Sequence, residues 1–266
     1  MFQEFYVSNE KTQLYCRKYG DGKPLLMIHG ACVDCDFFSD LAEYLARHYL
    51  VCTYDRRGYG RSGEPYDDDH AIVAQTLDAS AVIHSIGEPC DIIAHSAGAI
   101  IAIELALKHT ELVGRIILYE PFIKACLPED NDIRSAFQDI YDLIQIGQFN
   151  KALIRFIPMM GPPDARARAG TDEELENMKK NFMCFIRDEF GMTFLYHADY
   201  NAISALPITI CIGELSRNSH TWDVAMNLAG KISAPVVYFP GAHNCPYDLP
   251  QEFAWLVTGI LDKIIP

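Results

Sequence analysis

Short apolar segments alternate with helical patterns along most of this 266-residue chain. The apolar segments are rich in Ile, Val, Leu and Tyr, which is typical of buried strands; they read KPLLMIHG, YLVCTYD, CDIIAHS, GRIILYE, LPITICIGE and APVVYFPG. The helical patterns read DFFSDLAEYLARHY, DHAIVAQTLDASAVIHSIG, AGAIIAIELALKHT, TWDVAMNLAGKI and PQEFAWLVTGILDKII. Strands that alternate with helices predict an α/β fold with an open, mostly parallel sheet and helices on both faces.

Two segments depart from this alternation. At the N-terminus, EFYVSN and TQLYCRKYG alternate polar and apolar residues around a short polar break, which predicts a β-hairpin. Between residues 122 and 203, several helical patterns follow one another with no strand between them. We expect this segment to be a helical cap inserted into a core domain of residues 1–121 and 204–266. Ligands of open α/β sheets bind beyond the carboxyl ends of the strands, where this insert begins and ends.

The charge of the chain limits its partners. The formal net charge is −14, and the 22 Lys and Arg residues are scattered singly or in pairs. Because binding to nucleic acid needs positive side chains gathered along the phosphates, we expect no nucleic-acid partner. The acidic run PYDDDH at 65–70 is interpreted as a solvated loop and not as a cation site.

The N-terminus and the cysteines indicate the compartment. MFQEFYVSNEK lacks the basic and apolar regions of a signal peptide, and no apolar stretch approaches the roughly 18 residues needed to cross a bilayer. The nine cysteines lie mostly within apolar strands or helices, which suits reduced core residues better than disulfides. We therefore expect a cytoplasmic protein with no membrane partner. The sequence gives no indication of its oligomeric state.

One strand runs directly into a helix at a serine. In CDIIAHSAGAIIAIELALKHT, Ser96 lies at the joint, with the small residues Ala94 and Gly98 two positions before and after it. This is the pattern of a nucleophile elbow, a sharp turn that needs small neighbours and raises the serine hydroxyl above the sheet. The N–H groups at the start of the following helix would face an oxyanion. A serine that merely caps the helix is the alternative.

Four segments follow one another in the chain: IHGACVDCDFF (28–38), YDRRGYGRS (54–62), AHSAG (94–98) and PGAHN (240–244). Together they resemble the α/β-hydrolase superfamily, and the resemblance covers nearly the whole chain. It implies an α/β-hydrolase fold in which Ser96 is the nucleophile. It also implies that the backbone N–H groups of Ala31 and Ala97 form the oxyanion hole. No metal and no cofactor are expected.

The resemblance also indicates the general base and the acid of a triad. The base would follow the last strand, where His243 occurs in VVYFPGAHN. The family's usual acid position, at the end of a turn after the seventh strand, is occupied here by Ser216. Some members carry the acid at the end of the sixth strand instead, where RIILYEPF ends in Glu120-Pro121-Phe122. Glu120 is the first candidate, Glu214 is the alternative acid, and a triad without an acid is the third possibility.

A C-x-x-C pair, Cys32 and Cys35, directly follows the residue expected in the oxyanion hole. A zinc site would need two more ligands, and by family geometry the candidates are His243 and Cys245, which would consume the base. A redox pair is conceivable, but a thioredoxin-like context is lacking. We expect the two cysteines to fill space beside the pocket, without a metal or redox role.

These features predict a serine hydrolase that cleaves an ester or related acyl bond of a small, apolar substrate through a Ser-His-acid triad and an acyl-enzyme. A serine at the elbow, where an aspartate would form an alkyl-enzyme ester, argues against epoxide hydrolase or haloalkane dehalogenase chemistry. Two alternatives stay open: a ligand-binding or weakly catalytic protein on the same scaffold, and an acyltransferase or cofactor-free haloperoxidase.

Overall fold

The computed structural model describes residues 2–9, 12–63, 71–129, 132–160 and 172–263. The acidic run at 65–70 lies outside these residues. The strands are β1 (Phe2–Asn9), β2 (Thr12–Tyr19), β3 (Lys23–Ile28), β4 (Tyr49–Tyr54), β5 (Cys90–His95), β6 (Val113–Tyr119), β7 (Ile208–Gly213) and β8 (Val236–Phe239). The helices are α1 (Ser39–Leu45), α2 (Ala71–Ile86), α3 (Gly98–Lys108), α4 (Asp132–Gln145), α5 (Phe149–Phe156), α6 (Asp172–Cys184), α7 (Phe190–Leu195), α8 (Tyr200–Ile203), α9 (His220–Ile232), α10 (Cys245–Asp248) and α11 (Pro250–Leu261).

The strands of the described residues form one sheet of eight in the order β1-β2-β4-β3-β5-β6-β7-β8. β1 and β2 form the predicted antiparallel hairpin, and β2 pairs antiparallel with β4. The remaining pairs, from β4 through β8, are parallel. The predicted mostly parallel α/β sheet is therefore confirmed.

Hydrophobic clusters form on both faces of the sheet. One cluster includes Val82 of α2, Ile100 of α3 and Leu228 of α9. The other includes Leu41 of α1 and Phe253 of α11. Because helices cover both faces, the central strands need apolar side chains in both directions, which explains their nearly continuous runs of Ile, Val and Leu.

The pairing register brings the carboxyl ends of three neighbouring strands together. His95, the last residue of β5, lies beside Tyr119, the last residue of β6, and Tyr119 lies beside Cys211 of β7. The next residues along the chain, Ser96 and Glu120, therefore leave the sheet at the same edge. The register thus puts the predicted nucleophile and the first candidate acid on adjacent strands.

Residues 122–203, called the insert below, are helical between β6 and β7 without a strand in the parts that the structure describes. The helical segment that begins with α6 is not a regular α-helix throughout, because Phe185–Glu189 form a π-helix between α6 and α7. The N–H of Phe190 donates to the carbonyl of Phe185, five residues earlier. In an α-helix residues five apart lie on different faces, whereas here Phe185 and Phe190 line the same cavity.

One further finding concerns membrane crossing, and two parts of the expected organisation stay predictions. In the described ranges, no helix combines the length and the apolar character that crossing a bilayer requires. The boundaries of the core domain, at residues 121 and 204, stay a prediction. So does the role of the insert as a cap.

Candidate active site

Ser96 occupies the tight turn between β5 and α3. Its φ is 52°, in the left-handed region that is strained for a residue with a Cβ and is common at functional sites. Hydrogen bonds hold the turn on both sides. The N–H of Ser96 donates to the carbonyl of Tyr119 at 3.0 Å, and its carbonyl accepts from the N–H of Phe122 at 3.1 Å.

Glycines allow the elbow to pack closely against the end of β3. A Cβ on Gly98 would lie 2.7 Å from the carbonyl oxygen of His29 and 2.8 Å from that of Ile28. A Cβ on Gly30 would lie 2.9 Å from the Cβ of Ser96. Such contacts are far shorter than van der Waals separations, so side chains at these two positions would displace the turn.

The backbone of Ala31 and Ala97 lies at the cavity that Ser96 lines. Ala97 is the residue before the first turn of α3, so its N–H is not used by the helix. Ala31 precedes Cys32, whose φ of 65° turns the chain sharply after it. Neither N–H donates to another residue in the described ranges. Both can therefore donate to an oxygen that is bound above Ser96.

Glu120 and His243 form a hydrogen-bonded pair in which the carboxylate is buried. Nδ1 of His243 lies 2.8 Å from Oε2 of Glu120, whose side chain is fully buried. Oε1 accepts from the N–H of Gly213 at 3.0 Å, and the hydroxyl of Ser216 lies near enough to the carboxylate to stabilise its charge. Burial alone would raise the pKa of Glu120, but the bonds and charge from His243, with those of Ser216 and Gly213, lower it below its usual value. An ionised Glu120 requires the proton of neutral His243 on Nδ1, which leaves Nε2 as an acceptor.

The structure also locates the other acid candidates. Glu214 begins the short 3-10 turn Glu214–Ser216, and its side chain is exposed. Ser216, at the family's usual acid position, is buried beside Glu120. Sequence reasoning treated Ser216 only as a missing acid. Its position near Glu120 brings the ends of two strands together, and no local sequence signal reports such a contact.

Three hydrogen bonds hold the loop that carries His243. They join Nε2 of His95 to the carbonyl of His243 (3.0 Å), the hydroxyl of Tyr119 to the carbonyl of Ala242 (2.6 Å), and the N–H of Leu215 to the carbonyl of Gly241 (3.0 Å). The ring of His95 stacks on Phe37 with a centroid distance of 4.8 Å. Burial and the charge of His243 lower the pKa of His95 well below its usual value. A neutral His95 therefore orients the loop without adding a positive charge beside His243.

A buried ion pair joins the insert to the loop after β4. Arg56 and Glu189 each have a side chain that is 1% exposed, and Nη1 lies 2.8 Å from Oε1. Nη2 of Arg56 donates to the carbonyl of Gly30 at 2.9 Å. The hydroxyl of Tyr59 also donates to Glu189, at 2.8 Å. One hydrogen-bonded network thus connects the π-helix of the insert with the segment beside the predicted oxyanion hole.

A cavity, called the aromatic cavity below, lies above Ser96 and His243 and has walls from both the insert and the strand ends. Six phenylalanines line it: Phe122, Phe137, Phe156, Phe185, Phe190 and Phe194. Among the described residues that line it there is no Asp, Glu, Lys or Arg. His220, the first residue of α9, also lines it, and burial with the charge of His243 lowers its pKa to about 4. Apart from His243, the walls are therefore uncharged at neutral pH.

The surroundings of the cysteines near the site make their thiols unreactive. Burial raises the pKa of Cys32 and Cys35 well above the usual thiol value, and the carboxylates of Glu189 and Asp55 respectively act in the same direction. All nine cysteines are free and buried. Since the thiolate is the nucleophilic form, Cys32 and Cys35 act as small core residues in this state.

Comparison with known proteins identifies similar sequences. A model described as "Alpha/beta hydrolase family" matches residues 25–254. The uncharacterized hydrolase YraK of Bacillus subtilis (strain 168) is 27% identical over 257 residues, which cover 92% of this chain and 90% of YraK. The family match therefore spans most of β3, all of β4 to β8, the insert and the segment around His243.

Solved structures share the fold at lower identity. An alpha/beta hydrolase from Sphaerobacter thermophilus is 22% identical with a TM-score of 0.69, over 94% of this chain and all (100%) of that one. Est816, described as an N-acyl homoserine lactone degrading enzyme, is 22% identical with a TM-score of 0.75, over 96% and 99% of the two chains. The epoxide hydrolase CorEH is 15% identical with a TM-score of 0.75, over 100% of both chains. At these identities the similarity concerns the fold.

Proposed function

This chain belongs to the alpha/beta hydrolase family, an enzyme family, and from that membership we propose that it is a serine hydrolase which cleaves an ester or related acyl bond through an acyl-enzyme. The observation that carries the proposal is the buried contact between Glu120 and Nδ1 of His243, at 2.8 Å, beside the strained turn of Ser96. This contact gives His243 the tautomer and the electrostatic support that a general base needs.

The proposed reaction has two halves. The hydroxyl oxygen of Ser96 attacks the substrate carbonyl carbon while its proton passes to Nε2 of His243. The N–H groups of Ala31 and Ala97 donate to the resulting oxyanion, and Glu120 stabilises the charged imidazole. The intermediate expels the alcohol, which takes the proton from His243. Water then loses a proton to His243, attacks the acyl-serine, and releases the acid as Ser96 regains its proton.

The insert is proposed to act as a cap that keeps water out and selects the substrate. Support comes from the aromatic cavity, whose six phenylalanines all come from the insert, with Phe122 as its first residue. An uncharged, apolar acyl group fits such walls. Lactones are cyclic esters, so the same attack would open them, and the lactone-degrading activity of Est816 makes lactones part of the substrate panel.

Labelling with a fluorophosphonate, followed by mass spectrometry of the intact protein, tests the triad. We expect the wild type to gain one label, Ser96→Ala to gain none, and Glu120→Gln to react at least about 100-fold more slowly, because an amide cannot stabilise the charged imidazole. Glu214→Gln is the matched control, since Glu214 is exposed, and it should label at the wild-type rate.

Three outcomes would contradict parts of the proposal. A slow Glu214→Gln with a normal Glu120→Gln would transfer the acid role to Glu214. If the folded wild type did not label at all, the ligand-binding alternative would take precedence over the hydrolase. An acyltransferase would label normally but yield more transfer product than acid when alcohols or amines compete with water.

A further inference from the structure

A buried hydroxyl in the wall of the aromatic cavity has no partner. Thr193 of α7 is 3% exposed and lines the cavity, and its Oγ1 makes no hydrogen bond in the described part of the chain. A buried polar atom without a partner costs on the order of 1–3 kcal/mol, and in native proteins such atoms are exceptions that call for an explanation.

Comparison with other helical threonines shows that Thr193 is unusual in this protein. A threonine within or at the end of a helix commonly donates to the carbonyl four residues earlier. Thr76, Thr110 and Thr258 do so, at 2.7, 3.0 and 2.9 Å. For Thr193 the corresponding residue is Glu189, the last residue of the π-helix, and no bond forms. Its hydroxyl thus keeps its hydrogen-bonding capacity, in a residue that lines the cavity.

The surrounding walls favour an aromatic group. Phe137 and Phe190 stack with an interplanar angle of 24° and a centroid distance of 5.8 Å, and Phe190 and Phe194 stack at 17° and 6.0 Å. Phe185 meets Phe190 edge to face at 73°. A substrate ring can continue such face and edge contacts, which add to the stabilisation from burial alone.

The other residues that line the cavity limit which polar substituent of a substrate could pair with Thr193. Because the described lining has no Asp, Glu, Lys or Arg, a charged substituent would lose its hydration without an opposite charge. Thr221 is already engaged, with its hydroxyl 2.8 Å from that of Ser219. A hydroxyl, carbonyl or amide group can both enter this cavity and pair with Thr193.

We propose that Thr193 is a specificity-determining residue, and that the acyl group of the substrate is an aromatic ring that carries one uncharged hydrogen-bonding substituent, which pairs with Oγ1 of Thr193. This inference rests on the proposed hydrolase function, because that function decides that the acyl group of the substrate occupies the cavity. The pairing itself is a property of the cavity and can be measured by binding.

The test compares substrates that differ in one polar atom. The probes are 4-nitrophenyl esters of 3-phenylpropanoic acid with a hydroxyl or a methyl group at ring position 2, 3 or 4, and the quantity is the hydroxyl-to-methyl ratio of kcat/KM at each position. In the wild type we expect a ratio of at least about 10 at one position. In Thr193→Val, which keeps the shape but lacks the hydroxyl, that ratio should fall at least about tenfold, and Thr193→Ser should restore much of it.

Thr53→Val is the matched control. Thr53 also has a buried hydroxyl without a partner in the described ranges, but it lies in β4 and does not line the cavity. The ratio should stay at its wild-type value in this variant. A fall in both variants would assign the effect to general loss of a buried hydroxyl and would overturn the inference.

Equilibrium binding separates this inference from the proposed function. The amides of the same acids, which resist cleavage, are titrated into the single variant Ser96→Ala and into the double variant Ser96→Ala/Thr193→Val. The quantity compared is the ratio of the Kd of each methyl compound to that of the matching hydroxyl compound. If the wild type is labelled by the fluorophosphonate but the hydroxyl-to-methyl ratio of kcat/KM is near one at every position, the hydrolase proposal stands and the role of Thr193 is overturned. If the wild type is not labelled but the Kd ratio depends on Thr193, the role of Thr193 stands and the hydrolase proposal is overturned. No binding by any of the pairs would overturn the aromatic substrate class.

Discussion

Glu120 depends on neighbours that lie far from it in the sequence. Its carboxylate binds His243 through Oε2 and Gly213 through Oε1, and the nearby hydroxyl of Ser216 further stabilises its charge. These donors offset the cost of burying a charge at a site with no solvent access. Ser216, at the family's usual acid position, thus helps to stabilise the charge of Glu120, which follows another strand.

Replacing Ser216 tests this support. In Ser216→Ala the carboxylate loses one donor, so the pKa of Glu120 should rise and its charge should be lost at a higher pH. We expect kcat/KM for an ester to fall about three- to tenfold at neutral pH, and the acidic limb of its pH profile to move to higher pH. Ser204→Ala, at an exposed serine that bonds only the nearby carbonyl of Asn201, should change neither. An unshifted acidic limb in Ser216→Ala would argue against the role.

The elbow gives a second prediction at the residue scale. In Gly98→Ala the new Cβ would approach the carbonyl oxygens of His29 and Ile28 to less than 3.0 Å, so the turn must move away from β3. We expect slower fluorophosphonate labelling, by about tenfold or more, and a loss of roughly 1–3 kcal/mol in the free energy of unfolding. Gly230→Ala, in an exposed part of α9 with no atom near the new Cβ, should instead be neutral or stabilising.

The elements are held together at the site by polar networks as well as by the hydrophobic core. The Arg56–Glu189 pair joins the loop after β4 to the π-helix, 133 residues away in sequence, and Arg56 also binds the carbonyl of Gly30. Asp34 accepts bonds from Asn177 and Asn181 of α6. The insert is thus fixed to the loop beside the proposed oxyanion hole at two places.

Loss of the Glu189 charge should be costly because Arg56 stays buried. We expect Glu189→Gln to lower the free energy of unfolding by about 3 kcal/mol, measured by urea denaturation. The neighbouring Asp188→Asn is the control, because Asp188 pairs with Arg187, whose side chain is 50% exposed, and such pairs contribute less than about 1 kcal/mol. Equal effects of the two variants would show that burial of the Arg56–Glu189 pair is not what makes it important.

At the scale of the whole molecule, buried histidines make stability depend on pH. Burial lowers the pKa of His29, His95 and His220, the last to about 4. Below the unfolded pKa near 6.5, the unfolded chain takes up protons that the folded protein does not, so stability falls as pH drops from about 6.5. Glu120 acts at lower pH: its lowered pKa adds stability that is present above its unfolded value and is lost as pH falls through the folded one.

His220 provides the measurement for this effect. Between pH 7 and pH 5 its neutral state in the folded protein should account for a loss of roughly 2 kcal/mol in the free energy of unfolding. His220→Gln should reduce the measured pH dependence by about that amount, as determined by urea unfolding at both pH values. His84→Gln, at a histidine that is 57% exposed, should leave the pH dependence as in the wild type. A pH dependence that is the same in His220→Gln and wild type would contradict the assignment.

Much of the fold could be predicted from local patterns. The apolar segments correspond to β3 to β8, and the alternating N-terminal segments correspond to β1 and β2. Such segments can be predicted because burial of one or both faces of a strand determines the pattern of its apolar residues. The π-helix at Phe185–Glu189 was not predicted, since one extra residue in a turn leaves the apolar pattern almost unchanged. The cytoplasmic location and the absence of a nucleic-acid partner stay predictions.

By itself the sequence determined the sheet and the family, and it predicted Ser96 and His243 as site residues, because each of these signals lies in residues that are adjacent along the chain. Only the tertiary structure decided which groups surround them. The proximity of Ser216 to Glu120, the bond of Arg56 to Glu189, and the hydroxyl of Thr193 without a partner among the described residues all arise where distant segments meet. Such contacts depend on strand order, register and the path of the insert, and a stretch of local sequence contains none of these.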